Sequence, residues 1–452
     1  MIRMKTVFTV VCMLALVQGS YAQRQENRYG DVVLPDDSVE MQKRIRQAKF
    51  DKVLPRVMRD NDIDMWIYVM RPWIPDPLAF EFGASEGVII FTDRGEDRIE
   101  RAAFTGQLQD PDAYDIVVRE GMERESLPGT PLEMDIRFVG LKEFVEERDP
   151  KNIGVNYLET MAFGSTTGGP SLTDGISHKD YLLIIEALGE KYAGRVRSAE
   201  WAFVDYVAGR VPEEIELYKQ WGRIAAHVLD GEFAKVVPGV TKLSDLDGNV
   251  FRRNSDGREF HAQDREPYVL QRGDLFTILN NAGGRNFYGE VSGNAYLLKE
   301  GETEAPPEIV EVWKHAMIVR KIMVESIKAG QTAGEALQQS IDKVKEAGYF
   351  YNPVDYWDED ADQQLTQVHI DNHAAGRQTF AGPRISPFGQ EWIRQMKIPD
   401  LHTFTFEYMI HMPVPKWGKG KHLYLAFHDG AVATEEGVIF PYAPDQGIRI
   451  IR

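Results

Sequence analysis

The stretches Thr403-Phe404-Thr405-Phe406-Glu407 and Ala426-Phe427-His428-Asp429 read as β-strands that carry ionisable side chains among apolar ones. Two further stretches precede them. One is Arg272-Gly273-Asp274-Leu275-Phe276-Thr277-Ile278-Leu279-Asn280-Asn281-Ala282-Gly283, and the other is His369-Ile370-Asp371-Asn372-His373-Ala374-Ala375-Gly376. Eight of the ten histidines fall between His261 and His428, so the chemistry is expected in this half of the chain.

Working outward, the run Leu275 to Asn281 is expected to turn back as Phe287 to Leu298 in a hairpin, with a strand around Tyr268 and Val269 before it. Helices are expected at Pro307 to Lys328 and Ala333 to Ala347, and strands at Thr403 to Met412, Leu423 to Phe427 and Ala431 to Thr434. This is an α+β layout, an antiparallel sheet faced by helices. The segment Pro383 to Asp400 reads as a loop-rich insertion with the length of a functional loop over the cleft.

Further upstream, Pro212 with Glu213 and Glu214 opens a long amphipathic helix, because proline and acids suit a first helical turn. Its buried stripe is expected to be Ile215, Tyr218, Trp221, Ala225, Val228 and Leu229. Before it lies an α/β region. A helical pattern over 38 to 60 leads into the strand Ile63 to Val69; Gly87 to Phe91 and Arg98 to Phe104 form a hairpin around Asp93-Arg94-Gly95; a strand at Asn152 to Leu158 and a helix at Lys179 to Tyr192 follow. The expected division is residues 23–198 as an amino-terminal α/β domain, 199–211 as a linker and 212–452 as the domain that carries the site. No internal repeat or low-complexity tract interrupts it.

Residues 1–22 read as a cleavable export signal: Arg3 and Lys5, the apolar run Val7 to Val17, then Ser20-Tyr21-Ala22 as a small-x-small site with cleavage after Ala22. The apolar run is short for a span, which needs about 20 residues. The expected address is secreted or periplasmic, with no membrane span in the mature protein. Cleavage also removes Cys12, the one cysteine, so thiol chemistry and disulfides are not expected. With 452 residues and 43% apolar residues the chain can bury two cores. Its net charge of −18, which becomes −20 once Arg3 and Lys5 leave, argues against nucleic acid as a partner.

In order and spacing the four stretches resemble the creatinase, Xaa-Pro aminopeptidase and prolidase family, the M24 "pita-bread" hydrolases. The resemblance implies a carboxy-terminal pita-bread domain behind a creatinase-like α/β domain. It also implies a homodimer in which an amino-terminal segment closes a partner's pocket, a role suited to Asp76 to Glu86 with Phe80 and Phe82. In the metal-dependent relatives two aspartates, one histidine and two glutamates hold two divalent ions. Carried over, these positions are Asn281 (with Asn280 one residue away), Gly293, His373, Glu407 and His428. Two ligand positions are thus vacated, at Asn281 and Gly293, and Glu407 alone keeps a charge against four positive ones.

The resemblance to creatinase, which has His, Glu and His at the last three positions, implies that no cofactor is expected. His261 then serves as acid/base, with Glu407, His428 and His373 as its catalytic companions and Arg377, His369 and Glu290 as substrate-binding residues. The vacated creatinase glutamate would fall near Ala295, and Tyr408 stands where the family usually has proline. Three functions remain. The first is metal-independent hydrolysis of a C–N bond in a small amide, amidine or short peptide. The second is an Xaa-Pro aminopeptidase-like enzyme with one zinc, manganese or iron ion on His373, Glu407 and His428. The third is a silent binding protein.

Overall fold

A computed structural model describes residues 29, 32–71, 76–95, 98–105, 107–118, 136–159, 176–253, 259–261, 268–285, 287–376, 382–388 and 390–452. Residues 1–22, the expected export signal, lie outside them. Among the described residues no helix is long and apolar enough to cross a membrane.

The first half is built on one six-stranded sheet in the order β4-β3-β2-β1-β5-β6: β1 Met65–Met70, β2 Gly87–Asp93, β3 Ile99–Phe104, β4 Ile116–Val118, β5 Ile153–Val155 and β6 Val196–Ser198. β2 and β3 form the expected hairpin, with Val88 opposite Phe104. β1 is buried on both faces, which accounts for its unbroken apolar run.

Residues 199–211, expected to link two domains, instead contain the helix Glu200–Ala208. Phe203, Tyr206 and Val207 of this helix are buried in an apolar cluster that runs from Phe50 and Trp66 through Tyr218 and Trp221 to Phe276. The sheets separate in sequence, while the core runs through both halves.

The helix Pro212–Ala234 starts at the expected proline, and Glu214 folds back to accept the Val211 N–H at 3.0 Å. Leu217, Tyr218, Trp221, Ala225, Leu229 and Phe233 bury one face, a spacing of three and four that follows from 3.6 residues per turn. Against it packs a five-stranded sheet, ordered β17-β10-β9-β7-β8, of β7 Asn249–Arg253, β8 Glu259–His261, β9 Leu275–Gly283, β10 Tyr288–Leu297 and β17 Arg449–Ile451. Around Val269 there is one bridge to Lys242 in place of the expected strand.

The last sheet is ordered β11-β12-β14-β15-β16, with β11 Phe350–Tyr351, β12 Gln367–Ile370, β14 His402–Pro413, β15 His422–Thr434 and β16 Gly437–Ile439; β13, His373–Ala374, pairs with β14. β15 is one continuous strand where two were expected. The helices Pro307–Val324 and Ala333–Glu346 cover its outer face. Thr332 caps the second of these and its backbone N–H is met in return by Glu335.

Within the segment expected to serve the partner, Phe82 and Glu81 are committed to their own chain. Phe82 is fully buried among Phe50, Trp66, Tyr68 and Phe91, and Glu81 pairs with buried Lys49 at 3.3 Å. The expectation that Phe82 closes a neighbouring pocket is therefore corrected: a side chain in the core cannot reach another subunit.

Candidate active site

Strand parity decides which residues meet. In β14 the side chains of Phe404, Phe406, Tyr408 and Ile410 fill the helix-covered core, so Thr405, Glu407, Met409 and His411 face the other way. On β15, Leu425, Phe427 and Ala431 lie in that same core, which leaves Tyr424, Ala426 and His428 on the face with Glu407. Glu407 sits directly opposite His428 and His411 opposite Tyr424. Toward this face comes β10, which contacts β15. Ser292 accepts the His428 N–H at 2.8 Å, and Glu290 accepts from the Thr405 hydroxyl at 2.8 Å. The site is the cleft between these two sheets.

Its centre is one carboxylate between two imidazoles. His428 Nε2 lies 3.0 Å from Glu407 Oε1 and His373 Nε2 lies 3.4 Å from Oε2. His428 and Glu407 are buried, whereas His373 keeps about a third of its side chain open to the cleft, 32%. The pairing of β13 with β14 delivers His373, and Asn372 before it accepts the Glu407 N–H at 2.8 Å. Burial by itself lowers the pKa of His428. Glu407, with Glu290 and Asp355 behind it, outweighs that loss and raises the imidazole to about 9.

Glu290, which the sequence reading placed among substrate-binding residues, occupies the opposite wall. Tyr442 donates its hydroxyl to the Glu290 carbonyl at 2.6 Å, and no side chain larger than hydrogen fits at Gly430 beside the Tyr442 hydroxyl. His369 is buried on the floor, with Nδ1 3.0 Å from the Asn352 carbonyl and its ring 5.3 Å from that of Phe388. Phe388 belongs to the expected insertion, which is anchored by the Arg384–Asp371 pair at 2.7 Å and contains the helix Glu391–Gln395. His261 ends β8, opposite Phe251, but its side chain lies outside what is described. Arg377 also falls outside the described residues.

One expectation is corrected by parity. Gly293 is not on the cleft: a side chain there would run into Phe233, Leu229 and Arg449 on the helix side of the sheet. The cleft-facing residue of that pair is Ser292, a position missed because a one-residue shift moves a strand side chain to the other face. Asp429 likewise points away from His428 into the core, where Arg320 meets it at 2.9 Å. Asn281 lies on the Glu290 face, directly opposite it, and is exposed. Thr405, Asn372 and Ser292 are the contributors that sequence motifs did not reveal, since each acts through a backbone or hydroxyl contact made only in the fold.

No family model matches the chain, and no curated protein matches it by sequence. Solved structures do match. An X-Pro aminopeptidase from Thermotoga maritima covers 88% of this chain and 100% of its own, at 16% identity and a TM-score of 0.52. A dipeptidase, PepE, from Mycobacterium ulcerans covers 93% of this chain and 100% of its own, at 12% identity and a TM-score of 0.50. The chain carries the pita-bread fold. That finding corrects the expectation of a protein without a cofactor, because X-Pro aminopeptidases, one of which shares the fold, are metal-dependent.

The residues present discriminate between one ion and two. A pair of divalent ions does not fit: Asn281 and Ser292 supply neutral oxygens where two carboxylates are needed, and uncompensated buried charge is costly. Among the described residues no three acidic or histidine side chains stand gathered as a cation cage, since the imidazoles address different oxygens of Glu407. A single ion matches the donor types, since two imidazoles and a carboxylate are a common set for zinc or iron(II), and binding it requires His373, Glu407 and His428, which here pair with one another, to turn to a common point. It would have to displace the proton that His428 holds.

Proposed function

We propose that this chain is a hydrolase of a C–N bond in short peptides or peptide-like amides, of the Xaa-Pro aminopeptidase type, working with one divalent ion at His373, Glu407 and His428. The convergence of both imidazoles on the single buried carboxylate, inside the cleft of a peptidase fold, carries this reading. When bound, the ion supplies a Lewis acid for the scissile carbonyl and lowers the pKa of water.

The protein side chains divide the remaining work. Glu407 provides the negative charge, and His428 and His373 are oriented by it. Glu290, held by Thr405 and by Tyr442 on its backbone, presents a carboxylate across the cleft that can take a proton or meet a substrate amine. In this reading His261 returns the proton to the leaving nitrogen and Arg377 binds the substrate carboxylate. Export through residues 1–22 and assembly as a homodimer belong to the same proposal.

The test is metal analysis of protein purified without chelator, joined to a screen of Xaa-Pro peptides, creatine and related ureido and amidino compounds with and without manganese or zinc. About one ion per chain and hydrolysis lost in Glu407→Gln are expected. Two ions per chain overturn the one-ion site, and binding of these compounds without any turnover overturns the hydrolase in favour of a binding protein.

A further inference from the structure

A second concavity lies away from the cleft, where the two halves of the chain meet. It encloses about 500 Å³ between the helix Leu54–Asp60, the helix Glu200–Ala208, the end of the insertion from Gln395 to Asp400, and the turn joining β15 to β16. Small-molecule sites span roughly 300–1,000 Å³. Asp205 is the half-buried carboxylate of its wall. Asn61 donates to Asp205 Oδ2 at 2.9 Å, and among the described residues Oδ1 has no hydrogen bond. Burial raises the Asp205 pKa; Asn61 and the charges of Arg56 and Lys397 oppose the rise, and Asp60 adds to it. Arg56 and Lys397 are exposed, and their side chains form no ion pair among the described residues. Trp201 and Pro399 give the wall half-buried apolar surface, and Trp392 meets the Trp201 ring edge-on at 6.3 Å.

We propose that this cavity binds a free α-amino acid with an apolar side chain, its ammonium on Asp205 Oδ1, its carboxylate at Arg56 and Lys397, and its side chain against Trp201 and Pro399. The charge pattern of the wall selects such a ligand. A simple anion at Arg56 and Lys397 meets Asp205 and Asp60 as like charges, and a simple cation at Asp205 meets Arg56 and Lys397 in the same way. An amino acid carries both signs on one carbon, so each finds its opposite at short range, through charge-assisted hydrogen bonds. Its ammonium also relieves the cost of burying the Asp205 carboxylate. The indole and the proline ring then shield the side chain from water. The inference does not rest on the hydrolase reading, although a free amino acid is the kind of product that such a hydrolase releases.

Calorimetry on the full chain with three probes tests this: leucine, leucinamide, which lacks the carboxylate, and 4-methylpentanoate, which lacks the ammonium. Leucine is expected to bind saturably below about 10 mM. Each single-charge analogue should bind about tenfold more weakly or worse, the usual size of one lost charge-assisted contact. Asp205→Asn should weaken leucine by a similar factor, whereas Glu407→Gln should leave leucine binding unchanged. Leucinamide binding as tightly as leucine overturns the carboxylate contact, and 4-methylpentanoate binding as tightly overturns the ammonium contact; either result removes the amino-acid site. Leucine binding lost in Glu407→Gln and kept in Asp205→Asn assigns it to the cleft and likewise overturns the proposal, as does the absence of saturable binding. Should Asp205→Asn not fold, Lys397→Met, at an exposed position, decides: it should weaken leucine and leave leucinamide unchanged, and equal leucine binding in that variant and wild type overturns the site. Leucine binding that depends on Asp205 in a protein without any hydrolysis leaves the site standing while the hydrolase reading fails.

Discussion

Glu407 is the residue on which the site turns, because it is the carboxylate that both His373 and His428 address. Replacing it by glutamine keeps the shape and removes the charge. Hydrolysis should fall by about 10²- to 10⁴-fold in kcat/KM, the usual size of a lost acid–base or charge contribution. Stability gives an independent readout in ion-free protein. The His428 pKa is raised to about 9 in the fold, against roughly 6.5 when unfolded. The pairing therefore stabilises fully below about pH 6.5, and that stability is lost as pH rises through 9. The shift corresponds to about 3 kcal/mol at most. Urea titrations across this window should show wild type losing more stability than Glu407→Gln. Parallel pH curves for the two proteins would show that the carboxylate does not hold the proton on His428.

At the level of the strand, parity explains what happened to the ligand positions of β9 and β10. Ser292 faces the cleft and Gly293 faces the helix Pro212–Ala234, so adjacent residues have opposite sensitivities. Ser292→Asp is expected to fold, to place a second carboxylate beside His428 and to tighten divalent metal binding, measured by calorimetry. Gly293→Asp is expected to destabilise the protein by about 1–3 kcal/mol through overpacking, since even its Cβ runs into Phe233, Leu229 and the Arg449 guanidinium. A Gly293→Asp protein of undiminished stability would show that the register of β10 differs from the one described. β14 itself was legible in the sequence as a strand bearing Glu407, because its aromatic residues alternate with polar ones. β15 is one strand where the sequence suggests two, because His428, Asp429 and Gly430 interrupt its apolar run. In the fold Asp429 is taken up by Arg320, and Gly430 leaves room for the Tyr442 hydroxyl.

For the molecule as a whole, buried polar contacts tie the carboxy-terminal segment to both sheets of the cleft. Arg320 reaches Asp429 and the Asp445 carbonyl, while Asp445 accepts from the Asn294 backbone and side chain and pairs with Arg449. Burial raises the Asp429 pKa to about 6, with Arg320 opposing the rise. For a carboxyl raised in this way the stabilising contribution is complete below about pH 3.8 and is lost as pH rises through 6. Removing the guanidinium in Arg320→Met should cost about 3–5 kcal/mol near neutral pH, the usual penalty of a buried charge left unpaired. Part of that loss should be recovered at pH 5. A variant equally destabilised at pH 5 and 8, by urea denaturation, would place its cost in packing.

The sequence by itself determined the two halves of secondary structure, the helix that begins at Pro212, and the presence of Glu407, His373 and His428 on strands. These are local properties: helical and strand periods and capping residues are written in neighbouring positions. The tertiary structure alone decided that Ser292 and not Gly293 faces the cleft, that Phe82 is core, that the residues expected to link the halves are a buried helix, and that Asp355 lies within the field of His428. Each depends on which sheet face or distant loop a residue meets, and a shift of one position in register, invisible to local patterning, reverses the answer.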